Sequence, residues 1–324
     1  MQPLRFHPIF KRAVWGGRRL GSEFGKPIGS GDDYAESWEI SDLPEFESRI
    51  KGGEFDGESF HQMMVTHRKQ VLGRHADRDR FPILVKFLDA NHPLSVQVHP
   101  GHRPTSSTHA SGESKAELWI VLDAVAGSQV CAGLKDGVDR RQLEEAVANQ
   151  TISDCLHTFD VHPGDYLFLP PGTVHSLGEG VLIAEVQQSC DVTYRLHDWN
   201  RMGSDGKPRE LHIPQALDSI NYSLGPVRPL VTTPRESGPF QEVLIDNEYF
   251  AVHRLSGPAT TEVPCDDRAH VLTLLSGTAR ILSEDVHPMN WADTILLPAE
   301  RSTTHIELTT DAVLIDAFLG DRST

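Results

Sequence analysis

Short apolar runs, each ended by Gly, Pro, Asp or Asn, form the main pattern along the chain. Four such runs cover residues 81–88, 118–122, 166–169 and 181–186, and they are rich in β-branched and aromatic residues. Turn residues at this spacing predict an antiparallel sandwich or barrel and argue against alternating strands and helices. We therefore expect a fold dominated by β-structure.

Two segments carry the pattern of short helices instead. In residues 59–72, apolar side chains recur at roughly helical intervals, at Phe60, Met63, Met64 and Val71. In residues 140–149, a second helix is predicted because Asp139 stands where an N-cap is expected. The predicted architecture is thus all-β with a few short helices.

The later part of the chain repeats the earlier part weakly. Residues 162–177 and 290–308 share a Gly-Asp or Ala-Asp pair, a short apolar strand ending in Leu-Pro, and then a histidine. This repeat predicts two β-barrels of one kind. Residues 225–238 contain three prolines and little apolar periodicity, which is typical of a linker. The expected domains are residues 1–224 and 239–324, with the linker at about 225–238.

Composition and charge exclude several classes of protein. The 324 residues include 30 Lys and Arg against 46 Asp and Glu, a formal charge of −16, so nucleic acid and anionic membranes are poor partners. The chain has no run of ~18 apolar residues, and charges interrupt its first residues, so a cytoplasmic location is expected. The four cysteines form no C-x-x-C pair, which argues against a zinc ribbon or redox motif.

Polar residues that alternate with apolar ones in two neighbouring segments are candidates for chemistry. In an extended "SVQVHP", Ser95, Gln97 and His99 share one face and the two valines share the other. Such a face also suits a solvated edge strand. In "ESKAELWIVL", however, Lys115 and Glu117 alternate with apolar residues in the same way. Two polar faces so close in sequence favour a shared site.

A third segment adds another imidazole. His175 follows a stiff Pro-Pro-Gly turn that can aim its side chain inward. Two histidines, one carboxylate and an amide oxygen form a mixed nitrogen and oxygen donor set, which suits Zn²⁺ or a similar divalent ion with one coordination position open. The sequence therefore predicts a catalytic rather than a structural metal site.

Several motifs together resemble the type I mannose-6-phosphate isomerase family in its short bacterial form. They are "AESWEISD", "SVQVHP", "GESKAELWIVLDA", "PPGTVHSLGEG" and "IAEVQQSCDVTYRLHDWNR". The resemblance extends from about residue 5 to residue 220 and more loosely to the end. It implies cupin-type, jelly-roll β-barrels and an aldose–ketose isomerase site with one Zn²⁺ per chain.

The resemblance also implies roles for individual residues. The metal ligands would be Gln97, His99, Glu117 and His175. Arg195, within "TYRLHDWNR", belongs to the active site. Ser95, Lys86 and Lys115 fall where the family places polar groups near the sugar phosphate or the reacting carbons. His270 and His305, in the later repeat, lack such partners, so the second barrel is expected to bind no metal.

The chemistry of this isomerisation suits these residue types. Interconverting mannose 6-phosphate and fructose 6-phosphate moves a proton between C1 and C2 through a cis-enediol, so negative charge develops on the sugar oxygens. Zn²⁺ would act as a Lewis acid, and Arg195 would stabilise the enediolate. Lys115 is a candidate base because a lysine beside a dication loses its proton more easily, although binding of the phosphate is the alternative role.

Two other functions compete with this interpretation. Cupins with His and Glu ligands also hold Fe²⁺ and activate O₂, but Lys86, Lys115 and Arg195 form a cationic pocket that suits a phosphorylated substrate instead. A non-catalytic sugar-binding bicupin would tolerate a missing ligand, whereas all four ligand positions are filled here.

Overall fold

The computed structural model describes residues 1–101, 114–203, 206–231, 241–282 and 288–320. Within these residues it contains four α-helices: α1 (Arg19–Ser22), α2 (Phe60–Leu72), α3 (Arg140–Ala148) and α4 (Ile213–Ser219). Two short 3₁₀ helices cover Gly73–His75 and Ile152–Asp154. The longest helix, α2, has 13 residues, so no helix of the described part is long and apolar enough to cross a membrane.

Strands make up most of the described regular structure. Those of the first half are β1 (Arg5–His7), β2 (Ile9–Gly17), β3 (Tyr34–Ile40), β4 (Asp42–Leu43), β5 (Phe46–Glu47), β6 (Arg49–Lys51), β7 (Ile83–Ala90), β8 (Val96–Val98), β9 (Glu117–Ala124), β10 (Gln129–Leu134), β11 (Leu156–Asp160) and β12 (Tyr166–Leu169). Those of the second half are β13 (His175–Leu177), β14 (Val181–Gln188), β15 (Tyr194–His197), β16 (Gln241–Asp246), β17 (Ala251–Ser256), β18 (Ala259–Val263), β19 (His270–Ser276), β20 (Ala279–Ile281), β21 (Thr294–Leu297), β22 (Thr304–Leu308) and β23 (Val313–Phe318). The predicted β-dominated class is confirmed.

Two sheets carry the residues singled out above. One has five strands in the order β11-β10-β13-β8-β15, and the other has six in the order β12-β9-β14-β7-β3-β2. Further along the chain, a five-stranded sheet has the order β16-β17-β23-β19-β21 and a three-stranded sheet has the order β18-β22-β20. The pairings recorded between these strands are antiparallel, as the turn pattern predicts.

The strand predicted at residues 81–88 begins two residues later, and the reason is local. The Phe81 N–H donates to Asp42 Oδ2 at 2.8 Å, and Pro82 has no N–H to contribute to a ladder. The strand β7 therefore starts at Ile83, and it continues to Ala90 with every residue buried.

Both predicted helices are present with boundaries within one residue of those expected. All four of the apolar residues predicted to form the inner face of α2 are fully buried: Phe60, Met63, Met64 and Val71. At the start of α3, Asp139 Oδ1 accepts the Gln142 N–H at 2.8 Å and the Gln142 side chain returns to the Asp139 N–H at 2.9 Å, forming a capping box. Helices α1 and α4 were not predicted because they are too short to show a repeated apolar spacing.

The chain forms two compact units, each built from more than one segment. The first comprises residues 1–9, 38–86 and 231–324, and the second comprises residues 10–37 and 87–230. The segments of the two units are interleaved along the chain, whereas the sequence predicts one division at a linker. The predicted domain division and the two-barrel arrangement both stay predictions. Residues 232–238 of that linker lie outside the described residues.

The two segments of the internal repeat begin with the same type of turn. The His162 N–H donates to Asp165 Oδ2 at 2.8 Å, and the Asn290 N–H donates to Asp293 Oδ2 at 2.8 Å. The residue before each aspartate is left-handed, Gly164 with φ +93° and Ala292 with φ +65°. The shared turn places β12 and β21 directly after it, which explains the repeated Gly-Asp and Ala-Asp pattern.

Candidate metal centre and active site

One row of side chains crosses three adjacent strands of the five-stranded sheet. His175 of β13 lies opposite Gln97 of β8, and Gln97 lies opposite Arg195 of β15. Residues directly opposite in antiparallel strands share a face, so these three side chains point to the same side of the sheet. The other face of β8 carries Val96 and Val98, both fully buried. The alternation predicted for "SVQVHP" is therefore observed.

A second row comes from the six-stranded sheet. Glu117 begins β9 and lies opposite Gln187 of β14, and Trp119 lies opposite Glu185. The Trp119 and His175 rings pack in a T-shaped arrangement with centroids 5.4 Å apart, so this face meets the first row. The six-stranded sheet thus places the Glu117 carboxylate next to the histidines.

His99, Glu117 and His175 converge in the interior of the second unit. One ligand atom of each lies within 4.8 Å of the others. His99 Nε2 is 3.0 Å from Glu117 Oε1, and His175 Nε2 is 3.7 Å from Glu117 Oε2. All three residues are at most 2% exposed. The structure thus brings together three of the four residues for which a metal-binding role is expected.

The backbone orients both imidazoles toward this cluster. His99 Nδ1 lies 2.8 Å from the Val192 carbonyl oxygen, and His175 Nδ1 lies 2.9 Å from the Thr173 carbonyl oxygen. Because a carbonyl accepts only from a protonated nitrogen, the neutral ring carries its proton on Nδ1 and presents a lone pair at Nε2. Such outer hydrogen bonds orient histidine ligands in metalloproteins.

The charges in the cluster favour metal binding. Burial, reinforced by the Lys115 ammonium, lowers the pKa of His99 to about 3, so the ring is neutral. Burial alone would raise the pKa of Glu117, but the Lys115 ammonium, 3.0 Å from Glu117 Oε1, outweighs it and holds that pKa well below its usual range. Metal ligands must be neutral imidazole and ionised carboxylate, which are the forms of His99 and Glu117 at neutral pH.

Glu117 also has coordination capacity that the protein does not use. Its Oε2 atom is buried and accepts no hydrogen bond from the described residues. A buried carboxylate oxygen is costly without a partner. Two imidazole nitrogens and this carboxylate form a donor set that fits a divalent cation of the Zn²⁺ type. The residues present therefore fit the expected metal.

Gln97 and Ser95 lie beside the cluster. Gln97 Nε2 is 3.4 Å from His175 Nε2, and its Oε1 accepts the Ser95 hydroxyl at 3.0 Å. An amide binds a metal through its oxygen, so Gln97 would have to turn its amide by about 180° to become a ligand. Its role as the fourth ligand stays a prediction.

The three cationic residues occupy different positions. Lys115 Nζ is 3.0 Å from Glu117 Oε1 and 3.3 Å from His99 Nε2, directly at the cluster. Arg195 has a buried Nε atom without a hydrogen-bond partner in the described part of the chain. Lys86 is buried on the part of β7 that belongs to the first unit, with Nζ 5.7 Å from the centre of the Trp38 ring.

Two polar residues of this region were missed by the sequence analysis. Glu185 accepts the Trp119 indole N–H at 3.2 Å, and Gln187 donates to the Cys190 carbonyl at 2.8 Å. Both are at most 2% exposed, on the same face of β14. Their signal was present in "VLIAEVQQ", where Glu185 and Gln187 alternate with apolar residues. The apolar run at residues 181–186 conceals this alternation.

A second group with metal-ligating side chains has a different role. Asp42, Glu47 and His61 lie close together in the first unit. Arg80 Nη1 is 3.1 Å from Asp42 Oδ1 and 3.5 Å from Glu47 Oε1. The remaining oxygens accept the Phe81 N–H and the Ser59 hydroxyl. The group is therefore an ion-pair network already satisfied by Arg80.

Comparison with known sequences finds proteins named mannose-6-phosphate isomerase among the relatives of this chain. The family described as "Phosphomannose isomerase type I, catalytic domain" matches residues 4–117. The chain is 32% identical over 299 residues to mannose-6-phosphate isomerase ManA of Bacillus subtilis (strain 168), covering 92% of this chain and 93% of the relative. It is 31% identical over 301 residues to a mannose-6-phosphate isomerase of Streptococcus mutans, covering 92% of each.

The fold agrees as well. The crystal structure of the mannose 6-phosphate isomerase from Bacillus subtilis superposes with a TM-score of 0.88 at 27% identity, covering 98% of this chain and 99% of the other. This match confirms the fold class that the motifs imply. The matches also confirm the resemblance and the isomerase class expected from it, and the chain belongs to the type I mannose-6-phosphate isomerase family.

Proposed function

We propose that this protein is a Zn²⁺-dependent isomerase that interconverts mannose 6-phosphate and fructose 6-phosphate through a cis-enediol. The buried cluster of His99, Glu117 and His175 with Lys115 carries the proposal, in a chain whose relatives are named mannose-6-phosphate isomerase. Gln97 is the proposed fourth ligand. Bound Zn²⁺ would supply Lewis acidity to the oxygens at C1 and C2 of the sugar.

Arg195 has the properties required to stabilise negative charge on those oxygens. Burial, with a further effect from Arg209, lowers the pKa of its guanidinium, but a guanidinium stays protonated at neutral pH. Its Nε atom is buried and has no hydrogen-bond acceptor among the described residues. A cation with spare donors stabilises an enediolate more strongly than the neutral sugar, which is the requirement for catalysis.

Lys115 is the proposed base. Its ammonium group would lose a proton more easily beside a dication held by the cluster. In the direction from aldose to ketose, the amine then takes the proton from C2 and returns it to C1, while the hydroxyl proton passes from O2 to O1. Lys115 is 4% exposed, so bulk water has little access to its amine. Glu117 Oε1, 3.0 Å away, holds Nζ beside the ligand cluster. Ser95, 2% exposed, is proposed to contact the substrate, and Lys86 is proposed as a second cationic contact.

Metal removal tests this proposal directly. We expect the purified protein to contain about one Zn²⁺ per chain, to lose activity on fructose 6-phosphate in excess chelator, and to recover it when Zn²⁺ is added back. His99→Ala should lose both the metal and turnover. His92→Gln is the matched control because His92 is exposed in the same segment.

Three results would contradict parts of the proposal. Undiminished activity in excess chelator would exclude the metal. Oxygen consumption that depends on Fe²⁺ would favour the dioxygenase alternative. Sugar phosphate binding without turnover in the zinc-loaded protein would favour a non-catalytic sugar-binding protein.

A further inference from the structure

A group of arginines surrounds one buried carboxylate just after β15. Asp198 Oδ1 accepts a hydrogen bond from Arg201 Nη2 at 2.5 Å and another from Arg209 Nη1 at 3.2 Å. Asp198 is 5% exposed. Arg195 lies three residues earlier, and the charge of Asp198 acts on its guanidinium. We call Arg195, Asp198, Arg201 and Arg209 the arginine cluster.

Arg201 is fully engaged in holding the backbone. Its Nη1 donates to the Pro93 carbonyl at 2.5 Å, and its Nε donates to the Asp198 carbonyl at 3.3 Å. With Nη2 on Asp198 Oδ1, all three of its nitrogens have acceptors. Arg201 thereby holds the segment after β15 against the backbone at Pro93, so its guanidinium has a structural role.

Arg209 is bound at one nitrogen only. Apart from Nη1 on Asp198, no hydrogen bond of its guanidinium is formed to the residues that the structure describes. Its side chain is 23% exposed, so it is held in place and still accessible to a ligand. The segment that carries Arg209 is attached to β15 at Arg195, because the His212 N–H donates to the Arg195 carbonyl at 2.8 Å. The charge of Arg209 accordingly lowers the pKa of Arg195, after the larger effect of burial.

The charge of the cluster suits a phosphate monoester. Three guanidinium groups and one carboxylate give a net charge of two positive units, and a phosphate monoester carries about −1.5 to −2 at neutral pH. The other acids that act on Arg195, Asp191 and Glu210, are exposed, so water screens them. The cluster therefore has an excess positive charge that a phosphate would neutralise.

We propose that Arg209 binds the phosphate group of the substrate, while Arg195 acts at the reacting carbons and Asp198 positions Arg209. This inference rests on the proposed function, because it assigns one end of the same substrate. The planar guanidinium of Arg209 has its Nε and Nη2 donors available for the paired hydrogen bonds that arginine forms with phosphate. Arg209 is then a determinant of specificity for phosphorylated sugars.

Steady-state kinetics of Arg209→Gln tests the assignment. We expect KM for fructose 6-phosphate to rise about 10- to 100-fold, the loss typical of a charged hydrogen bond, with kcat within about threefold of the original. The inhibition constant of inorganic phosphate should rise in parallel, and inhibition by the phosphate-free hexitol sorbitol should not change. Arg209→Lys keeps the charge without the planar fork and should give an intermediate KM.

A matched control and a folding check complete the experiment. Arg141→Gln also neutralises an arginine, on the exposed surface of α3, and should leave KM and phosphate inhibition unchanged. Thermal unfolding of each variant shows whether the fold survives. If Arg209→Gln does not fold, the comparison of Arg209→Lys with the unchanged protein decides the question.

The outcomes separate this inference from the proposed function. An unchanged KM in a folded Arg209→Gln variant would overturn the inference, as would a loss confined to kcat. If the original protein does not isomerise fructose 6-phosphate at all, the proposed function fails. Calorimetric titration with inorganic phosphate then still tests Arg209, because only a phosphate-binding role predicts weaker binding in the variant.

Discussion

Individual side chains in the site combine burial with unused hydrogen-bonding capacity. Glu117 Oε2 and Arg195 Nε are both buried without a hydrogen-bond partner in the described residues. Such atoms reduce stability unless a ligand satisfies them, so they mark where the molecule is prepared to bind. The two residues carry opposite charges: the Glu117 carboxylate suits a bound cation, and the Arg195 guanidinium suits an anionic reacting group.

Removing the guanidinium of Arg195 should affect turnover and not the metal. We expect Arg195→Gln to lower kcat on fructose 6-phosphate about 100- to 1,000-fold, the loss typical when one charge-stabilising donor is removed. Zinc content per chain should stay the same, because Arg195 is not among the clustered ligands. A variant with near-normal kcat would refute the enediolate role.

Replacing Lys115 tests the proposed base. Lys115→Met keeps an unbranched chain of similar size in the buried position and removes the amine. We expect kcat to fall about 100- to 10,000-fold with metal retained, which is the usual contribution of a positioned acid or base. Lys135→Met, at an exposed lysine bonded to the Asp154 carbonyl, is the control. A decrease in kcat/KM through KM alone would assign Lys115 to phosphate binding instead.

Secondary-structure elements show how local signals support the site. Helix α3 starts at the Asp139 capping box and buries Leu143 and Ala146 in the same apolar cluster as Val96 and Val98 of β8. That cluster packs on the reverse face of the strand that carries Gln97. The helix therefore stabilises the strand behind the site without contributing to the chemistry.

Loss of the cap should reduce stability and leave catalysis intact. We expect Asp139→Ala to lower the free energy of unfolding by about 1 kcal/mol, because the Gln142 N–H loses its acceptor. Asp139→Asn keeps an acceptor and should restore most of that stability. Denaturant titrations of the three proteins, with kcat measured alongside, check this expectation. Equal stability of the Ala and Asn variants would contradict the capping argument.

The stability of the whole molecule should depend on pH through a buried ion cluster in the first unit. His270 Nδ1 lies 2.9 Å from both oxygens of Asp316, and its Nε2 lies 3.1 Å from Asp266 Oδ1. Burial alone would lower the pKa of His270, but Asp316 and the hydrogen bonds to both carboxylates raise it to about 9. The imidazolium is therefore the form present in the folded protein at neutral pH.

Because folding raises the pKa of His270, the free energy of unfolding should fall as the pH rises. The folded pKa lies above the unfolded value of about 6.5, so the stabilisation is complete below pH 6.5 and is lost as pH rises through 9. We expect the unfolding free energy of the original protein, relative to His270→Gln, to fall by up to about 3 kcal/mol between those limits. His305→Gln, at an exposed histidine, should leave the profile unchanged. Parallel profiles for the original protein and His270→Gln would contradict the prediction.

The sequence by itself determined the properties that depend on neighbouring residues. The four strands predicted from apolar runs, the helices predicted at about 59–72 and 140–149, and the candidate donors Gln97, His99, Glu117 and His175 follow from local alternation, spacing and an N-cap. Only the tertiary structure decided the long-range pairings. It brought Glu117 to His99 and His175, placed the Val192 and Thr173 carbonyls where they orient those rings, and attached the segment that carries Arg209 to the Arg195 backbone. Apart from the Thr173 contact with His175, these contacts join residues well separated in the chain, so their geometry depends on strand register and loop path, which no local pattern specifies.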